Sequence, residues 1–459
     1  MFFKNLLTDK RFWKSTLILA IPIALQNLLS NSASLVDILM IGKLGDDTIS
    51  AVGMASQIAF LNNLFLFGII SGGSVFVSQF WGAGNMRGIK RTYGIILANC
   101  ILVSFLFFSA AFFAPELCIG FFTNDKAIIE IGARYLKYAA FSYFGISLTM
   151  GFSCVLQSTE QVRIPLYSNI IAVLTNVFFN YVLINGKLGF PLLGIEGAAI
   201  ATILSSVINP IIIILLASIK KSIIIAPPNE VFSFSLIGLK GFYKIALPVI
   251  LNEVLWGLGM TVYNSIFGHM SSELYPSITI TKTVMDIVFV VFVGLCNSCA
   301  VQVGKQVGER NFDRAKTYAK RFLFLIPFFG FILGMLVIAL RGSILSLFSV
   351  KESVRDTTML LLMIYGLNLP IRNIQYISIV GIFRAGGDTR TGLLYDIGIL
   401  WGIGIPITFI CGILLRLDFA LIYFLMLSSE DIPKSILCLR YFFSMKWVKP
   451  VAQNTECEL

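Results

Sequence analysis

Charged residues are scarce in this 459-residue chain, where Asp, Glu, Lys and Arg together make up 13% of the sequence. Soluble domains carry about 25% charged residues, so this composition excludes an ordinary water-soluble fold. Histidine occurs once and the eight cysteines are scattered, which argues against a histidine-rich or cysteine-rich metal site. Cys296 and Cys299 lie three apart in an apolar run and are interpreted as small packed side chains.

Catalytic and nucleotide-binding motifs are also missing from the sequence. There is no H-E-x-x-H, no G-x-S-x-G and no Walker A loop. The net charge of +11 does not indicate a nucleic-acid partner, because the basic residues lie in loops between apolar runs. We therefore expect neither an enzyme nor a cofactor.

Long apolar runs dominate what is present: 57% of the residues are hydrophobic and the mean hydropathy is +0.86. The first run continues from Ser15 to about Ile41, which is too long for a secretion signal. Backbone groups in lipid must be paired within one segment, so the spans are predicted to be helices. We predict an all-α polytopic membrane protein with twelve transmembrane helices. The predicted spans are residues 16–41, 49–80, 93–115, 131–157, 167–185, 195–218, 242–267, 277–303, 319–345, 358–384, 392–413 and 418–439.

The distribution of Lys and Arg predicts the orientation. The termini and the even-to-odd loops, from Lys4 to Lys449, hold 24 of these residues against 9 in the opposite loops. By the positive-inside rule, both termini are predicted to be cytoplasmic. The expected location is the plasma membrane, where the protein contacts lipids and is expected to be a monomer.

An internal repeat relates the two halves of the chain. A shift of 226 residues places Ala20–Ala24 on Ala246–Ile250 and Val75–Asn85 on Val301–Asn311. One residue further, Leu156–Arg163 falls on Phe383–Arg390. Six spans per half is an even number, so the repeats are parallel, as in transporters whose substrate path lies between two halves. The predicted domains are an N-terminal six-helix lobe over 1–221, a cytoplasmic linker over 222–241 and a C-terminal six-helix lobe with a cytoplasmic tail over 242–459.

Five motifs along the whole chain resemble those of the multidrug and toxic compound extrusion (MATE) family. They are Pro22 with Val36–Gly45 (VDILMIGKLG), Gln79–Asn85 (QFWGAGN), Gly304–Asn311 (GKQVGERN), Gly197–Thr202 (GAAIAT) and Phe383–Arg390 (FRAGGDTR). The first-half loop Gln157–Arg163 departs from the pattern, since it lacks the glycines of its counterpart. The resemblance implies a secondary active antiporter that exports organic cations or amphipathic drugs in exchange for Na+ or H+.

Carboxylates inside spans are costly and are therefore candidates for function. The resemblance implies a coupling-ion site at Asp37 in the first span, although an interfacial helix-end residue is the structural alternative. Burial favours the protonated form of such a carboxyl, whereas a coordinated Na+ favours the ionised form.

Neutral polar residues accompany Asp37 in the resemblance. Asn176 and Asn180 are four apart on one helical face, and they match family positions that bind the coupling ion together with Thr202. Hydrogen bonding between helices is the alternative role for these residues. Since hard cations prefer oxygen ligands, Na+ is a possible ligand of Asp37, Asn180 or Glu253.

In the second half, Glu253 resembles a C-terminal-lobe carboxylate that binds cations in some family members. Asp286 follows Lys282 by four residues, so an ion pair on one helical face is its structural alternative. Arg372 is placed to neutralise one of these carboxylates, and the sequence does not indicate which one.

Another function remains open within the same larger group of transporters. A flippase for a lipid-linked oligosaccharide or a peptidoglycan precursor would share the repeat, but such proteins often have fourteen spans. Twelve predicted spans count against this alternative.

Overall fold

The computed structural model describes residues 9–348 and 350–451, which fold into helices and connecting turns. Within these residues, the only β-type pairing is an isolated bridge between Gly387 and Val448. The prediction of an all-α protein is confirmed. Lys4 and the outer ends of the two predicted lobes lie outside the described residues.

Thirteen longer helices carry the fold. Helices α1 to α13 are Lys10–Ile41, Asp46–Ala83, Met86–Phe113, Lys126–Ala139, Ser142–Ser158, Arg163–Asn185, Ile195–Ile219, Leu236–Met270, Tyr275–Gly308, Phe312–Leu345, Glu352–Tyr376, Thr389–Ile399 and Phe419–Phe443. Helix α11 continues through a π-helical segment, Ile377–Phe383, into Arg384–Gly386, and α12 continues through Leu400–Gly404 and Ile405–Phe409 to Ile410–Leu414. Shorter helical segments are Gly42–Leu44, Pro115–Gly120 and Pro228–Val231.

Each of the twelve predicted spans corresponds to a helix. Among the described residues, nine helices are long and apolar enough to cross a bilayer, and α4 with α5 adds a tenth span that is bent by 47°. The two other spans, α11 and α13, are more polar because they contain Asn368 and Arg372 in one case and Asp431 and Lys434 in the other.

The described residues form two compact units. The N-lobe is residues 25–246, and the C-lobe is residues 9–24 together with 247–451. Both boundaries fall inside a long helix, in α1 and in α8, rather than in a loop. The core of the C-lobe includes Phe12, so residues that precede the first boundary are part of its interior.

Two glycines allow α10 and α11 to pack backbone against backbone in the C-lobe. A Cβ added to Gly334 would lie 2.1 Å from the carbonyl oxygen of Gly366, and one added to Gly366 would lie 2.7 Å from that of Gly334. Small residues at such crossings allow the close packing on which helix association in lipid depends.

Gly334→Ala is expected to lower the free energy of unfolding by about 1–3 kcal/mol, because the two backbones must separate. Gly342→Ala on the same helix is the matched control, since no atom lies within 4 Å of an added Cβ there. Thermal unfolding of both variants in detergent tests this. Equal melting temperatures for the two variants would contradict the packing argument.

The start of α1 is anchored in the C-lobe by an ion pair and by aromatic contacts. Asp9 Oδ2 lies 2.6 Å from Nη1 of Arg321, and Asp9 Oδ1 accepts a hydrogen bond from the Phe12 amide at 3.0 Å. Phe12 is fully buried, with the Arg321 guanidinium 5.0 Å from its ring centroid. Burial alone would raise the pKa of Asp9, but the Arg321 and Phe12 hydrogen bonds and the Arg321 charge outweigh it and hold the pKa below its usual value.

The lowered pKa of Asp9 predicts an acid-dependent loss of stability. A carboxyl whose pKa is depressed by folding stabilises the protein above its unfolded pKa, and this contribution disappears as the pH falls through the folded pKa. Asp9→Asn is therefore expected to cost roughly 1 kcal/mol at neutral pH and almost nothing well below about pH 4. Melting temperatures across this range test the prediction, and a pH-independent difference would contradict it.

Candidate functional site

Asp37 and the two asparagines predicted from the sequence meet in the N-lobe. Asn180 Nδ2 donates a hydrogen bond to Asp37 Oδ1, and the same nitrogen lies 3.1 Å from Oδ1 of Asn176. Both asparagines are buried on one face of α6, whereas Asp37 on α1 is half-buried. The four-residue spacing on α6 therefore produces the arrangement that it predicted.

The surroundings of Asp37 contain oxygen atoms but no basic partner. Within the described residues, no Lys or Arg nitrogen lies within 4 Å of the Asp37 carboxylate. Oδ1 of Asn180 is buried and has no hydrogen-bond partner. Tyr135 of α4 lies within electrostatic range of Asp37. The site therefore presents a carboxylate and an unused amide oxygen, which suit a proton or a hard cation.

Thr202, the fourth predicted member, is on α7 and donates its hydroxyl hydrogen to the carbonyl oxygen of Ala198 at 3.0 Å. Its hydroxyl oxygen keeps lone pairs with which it can accept a hydrogen bond. Gly197 allows the first turn of α7 to approach α6 closely, since an added Cβ would lie 2.8 Å from the carbonyl group of Leu183. No contact joins Thr202 to Asp37 directly.

The C-lobe places Glu253 in a buried ion pair. Arg384 Nη2 donates to Glu253 Oε1 at 2.8 Å, and both side chains are largely buried. Beside Glu253, Asn252 Nδ2 donates to Oδ2 of Asp396 at 2.7 Å. Lys434 Nζ then bridges Asp396 Oδ1 and Glu430 Oε1 at 2.6 Å each. The C-lobe thus contains a network of ionised side chains across α8, α12 and α13.

Repeat-related positions of the N-lobe are neutral. The shift of 226 residues relates Gln26 to Asn252, and the shift of 227 relates Gln157 to Arg384. In the N-lobe, Gln157 Nε2 donates to Gln26 Oε1 at 3.0 Å, and Asn169 Nδ2 donates to the Gln26 carbonyl oxygen at 3.0 Å. The C-lobe therefore carries charges where the N-lobe uses amides.

A family comparison explains the repeat. The MatE family model matches residues 22–182 and again residues 248–410, so the two matches begin at the separation of 226 residues found in the sequence. The chain belongs to the MATE family. Both the resemblance and the repeat are thereby confirmed, and this MATE protein is a polytopic membrane transporter.

Curated relatives and solved structures cover nearly the same length. A probable multidrug resistance protein YoeA from Bacillus subtilis is 24% identical over 88% of each chain. A probable multidrug resistance protein NorM from Thermotoga maritima is 23% identical over 99% of this chain and 98% of the relative. A crystal structure of a MATE protein in complex with MaL6 matches with a TM-score of 0.86 at 17% identity, over 96% of this chain and 98% of that one. This structural likeness shows the shared fold.

Asp286 is less enclosed than the other predicted carboxylates of this MATE chain. Asp286 and Lys282 are both exposed on α9, and no ion pair within 4 Å joins them. Lys282 and Arg372 both lie within electrostatic range of Asp286. The structure therefore places Asp286 apart from the Glu253–Arg384 pair.

Four charged residues of the C-lobe network were missed by the sequence analysis: Asp396, Glu430, Asp431 and Lys434. All four lie inside predicted spans, so the rule that marks intramembrane charges as candidates would have found them. Lys434 was counted with the cytoplasmic charges, and this was wrong, because its side chain is buried within α13. Arg384 was also counted there and is buried, but removing both residues leaves the cytoplasmic excess of positive charge.

A dedicated multi-carboxylate metal centre is not present in the described part of the chain. No three His, Cys, Asp or Glu side chains converge there. A Na+ ion would therefore be held by a single carboxylate together with amide or hydroxyl oxygens, and Asp37 with Asn180 fits this description.

Proposed function

We propose that this MATE protein is a secondary active antiporter that exports organic cations or amphipathic drugs in exchange for inward Na+ or H+. The single observation that carries the proposal is Asp37, a half-buried carboxylate in a span that has asparagine partners and no basic partner. The names of the relatives, probable multidrug resistance proteins, support the substrate class.

The coupling step follows from the charge of Asp37. An ionised Asp37 attracts a cation, and the buried Oδ1 of Asn180, with no hydrogen bond of its own, is available as a second oxygen ligand. When a proton binds instead, the carboxyl becomes neutral and keeps its hydrogen bond with Asn180. Either ligand removes the buried negative charge, so occupancy of the site changes the relative stability of the states that face the two sides.

Glu253 remains a predicted coupling residue, but its electrostatic situation differs. Arg384 already compensates its charge, so a cation at Glu253 would compete with a guanidinium 2.8 Å away. For this reason we propose Asp37, with Asn176, Asn180 and Thr202, as the principal coupling site. The comparisons do not favour the flippase alternative.

Efflux of a fluorescent organic cation from everted membrane vesicles tests the proposal. The Na+ gradient and the H+ gradient are imposed separately, with vesicles from cells that lack the protein as the control. We expect one of the gradients to drive transport and its collapse to stop transport. Transport that is indifferent to both gradients would overturn the antiport mechanism.

A further inference from the structure

The middle parts of the C-lobe helices contain one carboxylate more than they contain cations. The carboxylates are Glu253, Asp286, Asp396, Glu430 and Asp431, and the cations are Lys282, Arg372, Arg384 and Lys434. An uncompensated charge is costly to bury, and a group in this position is neutralised instead. The structure indicates which carboxylate carries the excess.

Ion pairs account for three of these carboxylates. Glu253 is paired with Arg384, while Asp396 and Glu430 share Lys434. Further hydrogen bonds complete the shared pair, since Tyr263 donates to Glu430 Oε2 at 3.0 Å and Asn252 donates to Asp396 Oδ2. These three side chains therefore have the partners that an ionised carboxylate requires.

Asp431 has no such partner. Its side chain is 2% exposed, and no Lys or Arg nitrogen in the described part of the chain lies within 4 Å of it. Its contacts are amides of α11: Asn368 Nδ2 lies 2.6 Å from Oδ2, and Gln375 Nε2 lies 3.4 Å from Oδ1. Two neutral amide groups stabilise a buried negative charge less than an ion pair does.

A second observation indicates a missing hydrogen at this place. The hydroxyl oxygen of Tyr365 is buried without a hydrogen-bond partner, and the residue as a whole is 1% exposed. Tyr365 precedes Asn368 by three residues on α11, so both project from the same face. It lies within electrostatic range of Asp431. A protonated Asp431 would add an O–H group for which Tyr365 offers an acceptor oxygen.

Charged and titratable groups face Asp431 from several helices. The groups within electrostatic range are Tyr263 on α8, Tyr365 and Arg372 on α11, and Tyr423, Glu430 and Lys434 on α13. Arg372 is the nearest uncommitted positive charge, but Asp286 is also in its range. Glu430, directly adjacent in the chain, adds a negative charge that opposes ionisation of Asp431.

We propose that Asp431 is a proton-binding site of the C-lobe, where a proton taken from water converts the carboxylate to a neutral acid held by Asn368 and Gln375. The ligand is a proton rather than a metal cation, because amide N–H groups are directed at Asp431 and it is the only carboxylate in contact with them. Release returns the proton to water and leaves a carboxylate that Arg372 is placed to attract. The site is separate from Asp37 and gives the C-lobe a titratable group of its own.

Infrared spectroscopy of the full-length protein in liposomes tests this proposal directly. A protonated carboxylic acid has a carbonyl stretch that ionised carboxylates lack. The wild type is expected to show such a band, and Asp431→Asn to lose it. Glu430→Gln is the matched control and should keep the band, with its titration midpoint moved to lower pH because a neighbouring negative charge is gone.

Two more variants make the test independent of any folding defect. Asp431→Glu should retain a titrating band, and Tyr365→Phe should shift the frequency of the band by removing its acceptor. An unchanged band in Asp431→Asn would overturn the proposal. Suppression of the band by Na+ at constant pH would instead show a metal-cation site. Only the use of this proton in transport rests on the proposed antiport, and the infrared result can fail while the antiport stands.

Discussion

Asp37→Asn is expected to abolish gradient-driven export. Asparagine preserves the size of the side chain but can neither bind a proton nor attract a cation by charge. We expect the initial rate of efflux to fall by about tenfold or more, and a loss of only about 1.4 kcal/mol in cation binding is sufficient for a tenfold effect. The measurement is fluorescent-cation efflux from everted vesicles, under whichever gradient drives the wild type.

The controls for Asp37 come from the same lobe. Glu130→Gln removes an exposed carboxylate of α4 and should leave the rate unchanged. Asn180→Ala should weaken coupling without abolishing it, because Asp37 remains while its hydrogen-bond partner is lost. Full activity of Asp37→Asn, with the protein present at the wild-type level, would exclude Asp37 as the coupling carboxylate.

The N-lobe site could be predicted from the sequence because its geometry is local. Asn176 and Asn180 share a face by helical periodicity alone, and Asp37 stands out as a carboxylate in an apolar run. The family resemblance supplied the pairing of the first span with the fifth. The contact between Asn180 and Asp37 then required only that α1 and α6 pack as the resemblance implies.

The C-lobe network could not be predicted in the same way, because its partners are distant in the sequence. Glu253 and Arg384 are 131 residues apart, and no helical periodicity connects them. The boundaries of spans also misled the assignment of charges. Arg384 follows a π-helical segment that extends α11, so it is buried rather than in a loop.

Removing Arg384 is expected to have the largest effect on stability. Arg384→Gln leaves Glu253 without its cation in a largely buried position, and breaking a buried pair from one side typically costs about 3–5 kcal/mol. The measurement is thermal or denaturant unfolding of the purified protein in detergent. Glu253→Gln alone should cost less than Arg384→Gln, since Lys434 and Asp396 still form a compensated pair nearby.

The double variant Glu253→Gln with Arg384→Gln separates a lost charge pair from a lost packing contact. It copies the N-lobe, where the repeat places Asn27 and Gln157 at these two positions and the pairing is made by amides. Most of the stability lost in Arg384→Gln should therefore return, because no unpaired charge remains in the interior. If the double variant is as unstable as the sum of the two single variants, Arg384 stabilises the C-lobe through other contacts and the ion pair is not the cause.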